Sequence, residues 1–222
     1  MVAGAQTPER GGMEGAEMAK GYWIARVDVV NPVGYAEYAK ANAEPFAAHK
    51  AHFLVRGGEI HSKEGISRGR NVVIEFESFE AARACYFSPE YQTALALRQP
   101  YSIADVMIVE GVEPPVEAPP SGETPAGYWI MGIDIINQDA YRAYAAAGGT
   151  AAFKPRFLAR GGRQELLEGI GRQRTVLLAF DDVPTALACY ESDDYQKSVR
   201  LREGAADVDL IVAPGYSGPQ PA

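Results

Sequence analysis

Hydrophobic and polar positions form a regular pattern along the chain. Tyr22 to Val30 alternates and is rich in aromatic and β-branched residues, which is typical of a strand. Asn31-Pro32 combines a capping side chain with proline at a first helical position, and predicts a helix to about Ala48. Phe53 to Ser62 and Arg70 to Glu77 are strand-like, and the turn-forming residues between them predict a hairpin.

The remaining residues of this first unit, 78–110, predict further helices and a last strand. Ser78 and Ser88 each cap a helical stretch, and the proline after Ser88 again favours a helix start. Ile103 to Glu110 is predicted to be the last strand. The order β-α-β-β-α-β is that of the ferredoxin-like fold, in which both helices cover one face of a four-stranded antiparallel sheet.

The whole pattern then repeats. GYWI occurs at 21–24 and at 127–130, FLVRGG at 53–58 matches FLARGG at 157–162, EGISRGR at 64–70 matches EGIGRQR at 168–174, and ACYFSPEYQ at 84–92 matches ACYESDDYQ at 188–196. The second copy is two residues shorter between the first and second of these motifs. Two copies, rather than three or more, indicate a fused pair of domains and not a solenoid.

Changes in amino-acid composition along the chain define the predicted domain boundaries. Residues 112–126 contain five prolines and are predicted to be an extended linker. The prediction is a disordered segment at 1–19, a first ferredoxin-like domain at 20–111, the linker at 112–126, a second domain at 127–213 and a flexible tail at 214–222. The first residues lack the basic and apolar runs of a signal peptide, so a cytoplasmic location is expected.

Both faces of the predicted sheets carry apolar residues. In the first strand Trp23 and Val27 share one side, while Tyr22 and Ile24 share the other. Helices can cover only one of these faces, and an apolar face left in water is unfavourable. We therefore expect the two sheets to pack face to face within one chain, as an α+β pseudo-dimer that forms a dimeric α/β-barrel. The alternative is a homo-oligomer in which each half pairs with another chain.

Charge and cysteine content exclude several classes of protein. The formal net charge is -8. Proteins that bind nucleic acid or anionic membranes use clustered Lys and Arg, so we expect neither as a partner. The two cysteines form no ligand spacing, so no metal site is predicted. No GxGxxG or P-loop motif occurs, and no cofactor is predicted.

The motifs GYWIARVDVxN, FLxRGG, EGIxRxR and ACYxSxxYQ resemble those of the "domain of unknown function 1330" family, over nearly all of residues 20–111 and 126–213. The resemblance implies a ferredoxin-like domain of the dimeric α/β-barrel superfamily that pairs through its sheet. The family has no established reaction, and the superfamily includes cofactor-independent monooxygenases, isomerases and haem proteins. Family members commonly begin near MAKGYWI, which implies that Met18 is the true start.

Charged candidates for a site occur in both copies. Arg56 and Arg160 precede a Gly-Gly pair, where a guanidinium is able to hold a carboxylate; the alternative is a bulge with a surface arginine. Asp28 and Asp134 are expected at the same end of the sheet as Arg70 and Arg174. Such Asp/Arg pairs would bind a polar ligand or staple the sheet. The candidate residues of this kind are Arg56, Arg160, Arg70, Arg174, Asp28 and Asp134.

Aromatic and histidine residues complete the candidates. Tyrosine offers a ring to stack and a hydroxyl to orient or protonate a ligand, whereas core packing is the alternative role. The tyrosine candidates are Tyr22, Tyr128, Tyr35 and Tyr141 for ligand binding, and Tyr38 and Tyr144 for catalysis. Three histidines occur only in the first half, and His52 is a candidate base; solvent-facing histidines are the alternative.

These features favour a protein that binds a small polar or aromatic organic molecule in a pocket at each sheet. A cofactor-independent oxygenase or isomerase-type reaction, with a tyrosine as donor and Asp28 or a histidine as base, is one form of this function. The alternative is a non-catalytic association module that assembles through its duplicated surface. A pocket-sized cavity lined by the repeated Tyr, Arg and Asp would favour the first, and a filled core with an exposed apolar patch the second.

Overall fold

A computed structural model of the chain describes residues 18–120 and 126–222, so the expectations for Met1 to Glu17 lie outside the described residues. The first half contains β1 (Gly21–Val29), α1 (Pro32–Ala41), α2 (Ala43–Ala48), β2 (His52–Arg56), β3 (His61–Glu64), β4 (Arg70–Phe76), α3 (Phe79–Phe87), α4 (Pro89–Arg98) and β5 (Ser102–Glu110). The second contains β6 (Gly127–Ile135), α5 (Gln138–Ala146), β7 (Arg156–Arg160), β8 (Gln164–Glu168), β9 (Arg174–Phe180), α6 (Val183–Glu191), α7 (Asp193–Leu201) and β10 (Ala206–Pro214). Short 3-10 turns occur at Gln99–Tyr101 and Ala151–Phe153.

The predicted helix starts are confirmed. The side chains of Asn31, Ser78 and Ser88 accept hydrogen bonds from backbone N–H groups of the first turns of α1, α3 and α4. The first predicted helix is in fact two, because α1 ends before Asn42 and α2 follows. Pro45 in α2 has no N–H to continue the hydrogen-bond ladder from α1, which explains the break.

Each half contributes a ferredoxin-like sheet that the other half extends. The first sheet has the order β2-β4-β1-β5-β8, and the second has the order β3-β10-β6-β9-β7. Strand β3 of the first half pairs with β10 of the second, and β8 of the second pairs with β5 of the first. The two halves therefore exchange a short strand, in addition to facing each other.

The prediction of one strand over Phe53 to Ser62 is wrong. The strand stops at Arg56, because Gly57 and Gly58 adopt φ angles of 80° and 101°, a left-handed conformation that favours glycine. The chain then turns away from its own sheet and β3 joins the other one. The predicted hairpin with β4 is consequently absent from the described structure, in which β4 lies between β2 and β1.

Three apolar clusters result. Trp23 and Phe53 lie in a cluster between the first sheet and its helices, and Trp129 lies in the equivalent cluster of the second half. The third cluster lies between the two sheets and contains Tyr22, Ile24 and their counterparts Tyr128 and Ile130. The alternation of the first strand predicted this arrangement, and the face-to-face packing of the sheets is confirmed.

Two buried ion pairs connect the exchanged strands to the helices. Arg98, at the end of α4, donates to both carboxylate oxygens of Glu168 in β8, at 2.6 and 2.5 Å. Arg202, just after α7, donates to both oxygens of Glu64 in β3, at 2.6 and 2.8 Å. The two arginine side chains are only 3% and 5% exposed. Each half thus anchors the strand that it receives from the other.

The expected pairing of Asp28 with Arg70 is wrong. Arg68 donates to Asp28 at 2.8 Å and to Asp105 at 2.6 Å, while Arg70 lies opposite Val27 in the sheet. Arg70 therefore shares the helix-side face with Val27, and the side chain of Asp28 points to the opposite face. The hydrogen bonds from the Gly69 backbone and from Arg68 lower the pKa of Asp28.

The equivalent prediction for the second half, a pairing of Asp134 with Arg174, is also wrong. Arg172, and not Arg174, donates to Asp134 at 2.9 Å and to Asp209 at 2.9 and 3.0 Å. Arg26 of the first half also reaches Asp209, at 3.4 Å, so the network joins the two halves. Burial of Asp209 opposes ionisation, but the hydrogen bonds from Arg172 and from the Ile66 backbone outweigh it and lower its pKa.

We expect the Asp209→Asn variant to lose stability in a pH-dependent way. Because the pKa of Asp209 is lowered in the folded state, its contribution is present above the unfolded pKa of about 4 and fades as the pH falls through the folded pKa. The variant should be roughly 1.5 to 3 kcal/mol less stable near neutral pH. Urea unfolding of both proteins across the pH range checks this; a difference that stays constant into acid contradicts it.

The predicted flexible tail instead lies against the first half. The backbone N–H of Tyr216 donates to the carbonyl of Leu54 at 2.9 Å. The Gln220 side chain accepts from the Phe53 N–H at 2.7 Å and donates to the Phe53 carbonyl at 3.1 Å. These bonds occupy the free edge of β2, an edge that would otherwise expose unpaired backbone groups.

Candidate functional site

A cavity of about 320 Å³ lies between the second sheet and helices α5 and α7. Strands β6 and β9 provide its floor, because alternate residues of each strand point to the helix side. The floor residues are Trp129, Met131, Ile133, Val176 and Leu178. The loop between α5 and β7 closes part of its side with small residues, including Gly148 and Gly149.

The charged groups of the lining all carry positive charge. They are Lys154, Arg160 and Arg174, and no carboxylate of the described residues lines the cavity. Arg174 donates from Nη2 to the Arg160 carbonyl at 2.6 Å, but its buried Nε has no hydrogen-bond partner among the described residues. A buried donor without an acceptor is costly, so this group favours a ligand that brings an acceptor.

Three tyrosines face the same space. The hydroxyls of Tyr144 and Tyr195 are 3.3 Å apart, and the ring of Tyr141 packs against that of Tyr144. Burial raises the pKa of Tyr141, and the nearby Arg174 offsets this only in part. Burial also raises the pKa of Tyr195. Both hydroxyls are therefore protonated near neutral pH and are able to donate hydrogen bonds to a ligand.

The equivalent space in the first half is almost filled. It measures about 50 Å³ and is lined by Tyr35, Tyr38, Arg56 and Arg70 together with Phe46. Phe46 belongs to α2 and packs edge-on against Trp23 and Phe53, with ring centroids 5.4 Å apart in both contacts. The hydroxyls of Tyr38 and Tyr91 are 3.2 Å apart, as in the second half.

The difference between the halves follows from the two-residue deletion. The second half contains no counterpart of α2 in the described structure; a short turn at Ala151–Phe153 takes its place. No phenylalanine then enters the space that Phe46 fills in the first half. The open cavity is consequently confined to one of the two copies, and the expectation of a pocket at each sheet is not met.

The structure divides the predicted site residues into two groups. Arg160, Arg174, Tyr141 and Tyr144 line the open cavity, and their counterparts Arg56, Arg70, Tyr35 and Tyr38 line the filled one. The helix-side position of Arg70 agrees with the apolar pattern of its strand. Sequence reasoning selected Arg56 and Arg160 for the adjacent Gly-Gly pair, and the tyrosines because they recur in both halves.

The remaining candidates do not reach either cavity. Tyr22 and Tyr128 lie between the sheets, on the opposite face from the helices. Asp28 and Asp134 belong to the arginine network at the strand ends. His52 is exposed and precedes Phe53, which points into the helix-side cluster, so its side chain faces the other way.

Sequence reasoning missed three cavity residues and one blocking residue. Lys154, Ser198 and Tyr195 line the cavity, and Phe46 fills its counterpart. Tyr195 was visible within the ACYxSxxYQ repeat, whereas Lys154 had no distinguishing pattern. The two-residue deletion between GYWI and FLARGG was the signal for an unequal pair of cavities, because it falls in the segment that carries Phe46 in the first half.

Two ferredoxin-like halves that pack sheet against sheet define a dimeric α/β-barrel protein, formed here within a single chain. Residues 20–112 and 126–216 match the family model described as "Domain of unknown function (DUF1330)", and the chain belongs to this family. The resemblance of the sequence motifs is thereby confirmed, with one family domain in each half.

Solved structures share this fold. An anthrone oxidase-like protein has a TM-score of 0.53 at 12% identity, with 91% of this chain and 95% of that chain covered. A dye-decolorizing peroxidase from Bacteroides thetaiotaomicron has a TM-score of 0.52 at 8% identity, with 90% and 94% covered. At such identities the likeness shows the fold alone. A search of curated proteins finds no match.

None of the helices in residues 18–120 and 126–222 is long and apolar enough to cross a membrane. Within the same residues, no three His, Cys, Asp or Glu side chains come together in a group able to hold a metal ion.

Proposed function

We propose that the cavity of the second half binds a small organic anion with a flat, apolar body. The observation that carries this proposal is Arg174, which lines an open cavity and whose buried Nε has no hydrogen-bond partner among the described residues. Arg70 has the same unsatisfied Nε, but the space beside it is too small for an organic ligand. Among the described residues, a buried arginine Nε without a partner and a cavity large enough for an organic ligand occur together only in the second half.

The size and chemistry of the lining narrow the ligand class. Ligand pockets in proteins measure about 300 to 1,000 Å³, so a cavity of about 320 Å³ suits a molecule of one or two rings. Its floor is aromatic and aliphatic, which favours an apolar body, and the absence of a lining carboxylate leaves Lys154, Arg160 and Arg174 able to attract an anion.

The tyrosine pair supports a role beyond simple binding. One hydroxyl of the Tyr144–Tyr195 pair donates to the other, and the second is able to donate to a carbonyl or enolate oxygen and so stabilise negative charge on it. Asp28 and His52, the bases that the sequence predicted, lie away from the cavity. Cofactor-independent oxygenase or isomerase-type chemistry would therefore use the tyrosines as donors, and not a carboxylate or histidine base.

We also propose that the protein is located in the cytoplasm. Cys85 and Cys189 are both free and buried, which fits a reducing compartment. The alternative of a non-catalytic association module receives less support, because the cavity is of ligand size and contains the repeated tyrosines and arginines, although not the aspartates.

The test uses 2-naphthoate, a fluorescent two-ring carboxylate, and its neutral analogue 2-naphthamide. We expect the wild-type protein to bind one 2-naphthoate and to prefer it to the amide. Arg174→Met removes a charge-assisted hydrogen bond and should weaken 2-naphthoate binding about 10- to 100-fold, with little effect on the amide. Isothermal titration calorimetry measures all four affinities.

The matched control is Arg70→Met, which removes the equivalent arginine beside the filled cavity. This variant should bind 2-naphthoate as the wild type does. Equal affinity of the wild type and Arg174→Met for 2-naphthoate, or no binding by the wild type, would overturn the proposed function.

A further inference from the structure

The segments that follow β5 and β10 take equivalent paths. The Gly111 N–H donates to the Lys20 carbonyl at 2.8 Å, and the next residue, Val112, donates to the Leu158 carbonyl at 2.9 Å. After β10, Tyr216 donates in the same way to the Leu54 carbonyl, also at 2.9 Å. Each segment thus crosses to the edge strand of the opposite half, with Val112 and Tyr216 in corresponding positions.

The arginines beside these positions also correspond. The Arg56 guanidinium lies over the ring of Phe53, with Cζ 4.3 Å from the ring centroid. The Arg160 guanidinium lies over the ring of Phe157 at 4.6 Å. Each arginine lines the cavity of its own half. The two halves therefore present the same flat guanidinium surface, stacked on a phenylalanine.

Among the residues that the structure describes, only the first of these surfaces is covered by an aromatic side chain. The ring of Tyr216 lies over Arg56, with Cζ 5.4 Å from the ring centroid, and its hydroxyl accepts a hydrogen bond from Arg56 Nη1 at 3.3 Å. The same hydroxyl donates to the Pro219 carbonyl at 3.1 Å. In the second half the aliphatic Val112 occupies the corresponding position, and Arg160 remains exposed.

We propose that Arg160 and Phe157 form a subsite for the phenolic ring of the ligand. Tyr216 on Arg56 is an example, within the same chain, of the ring and oxygen that this surface accepts. A guanidinium stacks on an aromatic ring and donates to its oxygen at the same time, which selects a phenol over an unsubstituted ring. This inference rests on the proposed function, and names the ligand class as phenolic.

The first experiment compares 2-naphthol with naphthalene. The wild type should bind 2-naphthol about tenfold more tightly than naphthalene, because only the naphthol accepts a hydrogen bond from Arg160. Arg160→Met should abolish this preference. It should weaken 2-naphthoate binding less than Arg174→Met does, since Arg174 is still present.

The second experiment introduces into the second half a tyrosine equivalent to Tyr216, which covers Arg56 in the first half. Val112→Tyr places a tyrosine where Tyr216 lies in the other copy, and should weaken 2-naphthol binding at least about tenfold by occupying the Arg160 surface. Val112→Leu is the matched control, because it enlarges the side chain without a ring or hydroxyl, and should leave the affinity unchanged. Circular dichroism and thermal unfolding verify that both variants are folded.

The outcomes separate this inference from the proposed function. If 2-naphthoate binds but 2-naphthol shows no preference over naphthalene, or if Val112→Tyr binds 2-naphthol as tightly as the wild type, the phenolic subsite is wrong and the proposed function stands. If neither 2-naphthoate nor 2-naphthol binds, both are overturned.

Discussion

Replacing Glu168 with leucine is expected to lower the free energy of unfolding by about 3 to 5 kcal/mol, the cost of leaving a buried charge without its partner. Glu168 accepts two hydrogen bonds from Arg98, whose side chain is 3% exposed. Without that carboxylate the guanidinium stays buried against the ring of Tyr38, where water reaches it poorly. Urea unfolding measures the change.

The double variant Arg98→Met/Glu168→Leu is the control for this prediction. Replacing both charged partners with apolar side chains removes the unpaired charge, so most of the lost stability should return. A double variant that is as unstable as Glu168→Leu would contradict this explanation. It would show that the side chains contribute through packing or backbone geometry rather than through paired charge.

The second large effect is expected for Phe46→Ala. Phe46 is 2% exposed and packs against Trp23, Phe53 and Tyr91, so its removal should cost about 3 to 5 kcal/mol of stability. The change also creates in the first half the space that the second half already has. Thermal and urea unfolding measure the cost.

Phe87→Ala is the matched control, because it removes the same atoms from a side chain that is 49% exposed. Its cost should stay below about 1 kcal/mol, as expected for surface positions. A loss of stability no larger than that of Phe87→Ala would contradict the role of Phe46 in filling this space.

Local patterns were sufficient to predict most of the fold. The alternation in β1 identified both faces of the sheet, and the capping residues Asn31, Ser78 and Ser88 marked the helix starts. These features depend on neighbours in sequence. The exchange of β3 and β8 was not predicted, because a short strand carries no signal for which sheet it joins, and its partners lie far away along the chain.

The candidate site was predicted only in part, because its geometry depends on residues that are distant in sequence. Arg160 was marked by the adjacent Gly-Gly pair, and Tyr141 and Tyr144 by their recurrence in both halves, whereas Arg174 was selected for a pairing with Asp134 that the structure does not contain. The pairing of Asp28 with Arg70 failed, because proximity at the end of a sheet does not place two side chains on one face. The unequal cavities depend on Phe46, whose effect on a distant strand surface follows from packing alone.

The strand exchange also governs the order in which the protein acquires its structure. Strand β3 emerges early during synthesis, whereas β10, to which it pairs, is the last strand of the chain. The first half must therefore leave one segment without its final partner until β10 has also been made. Contacts so distant in sequence slow folding and prolong the exposure of unpaired strand edges, which chaperones then have to protect.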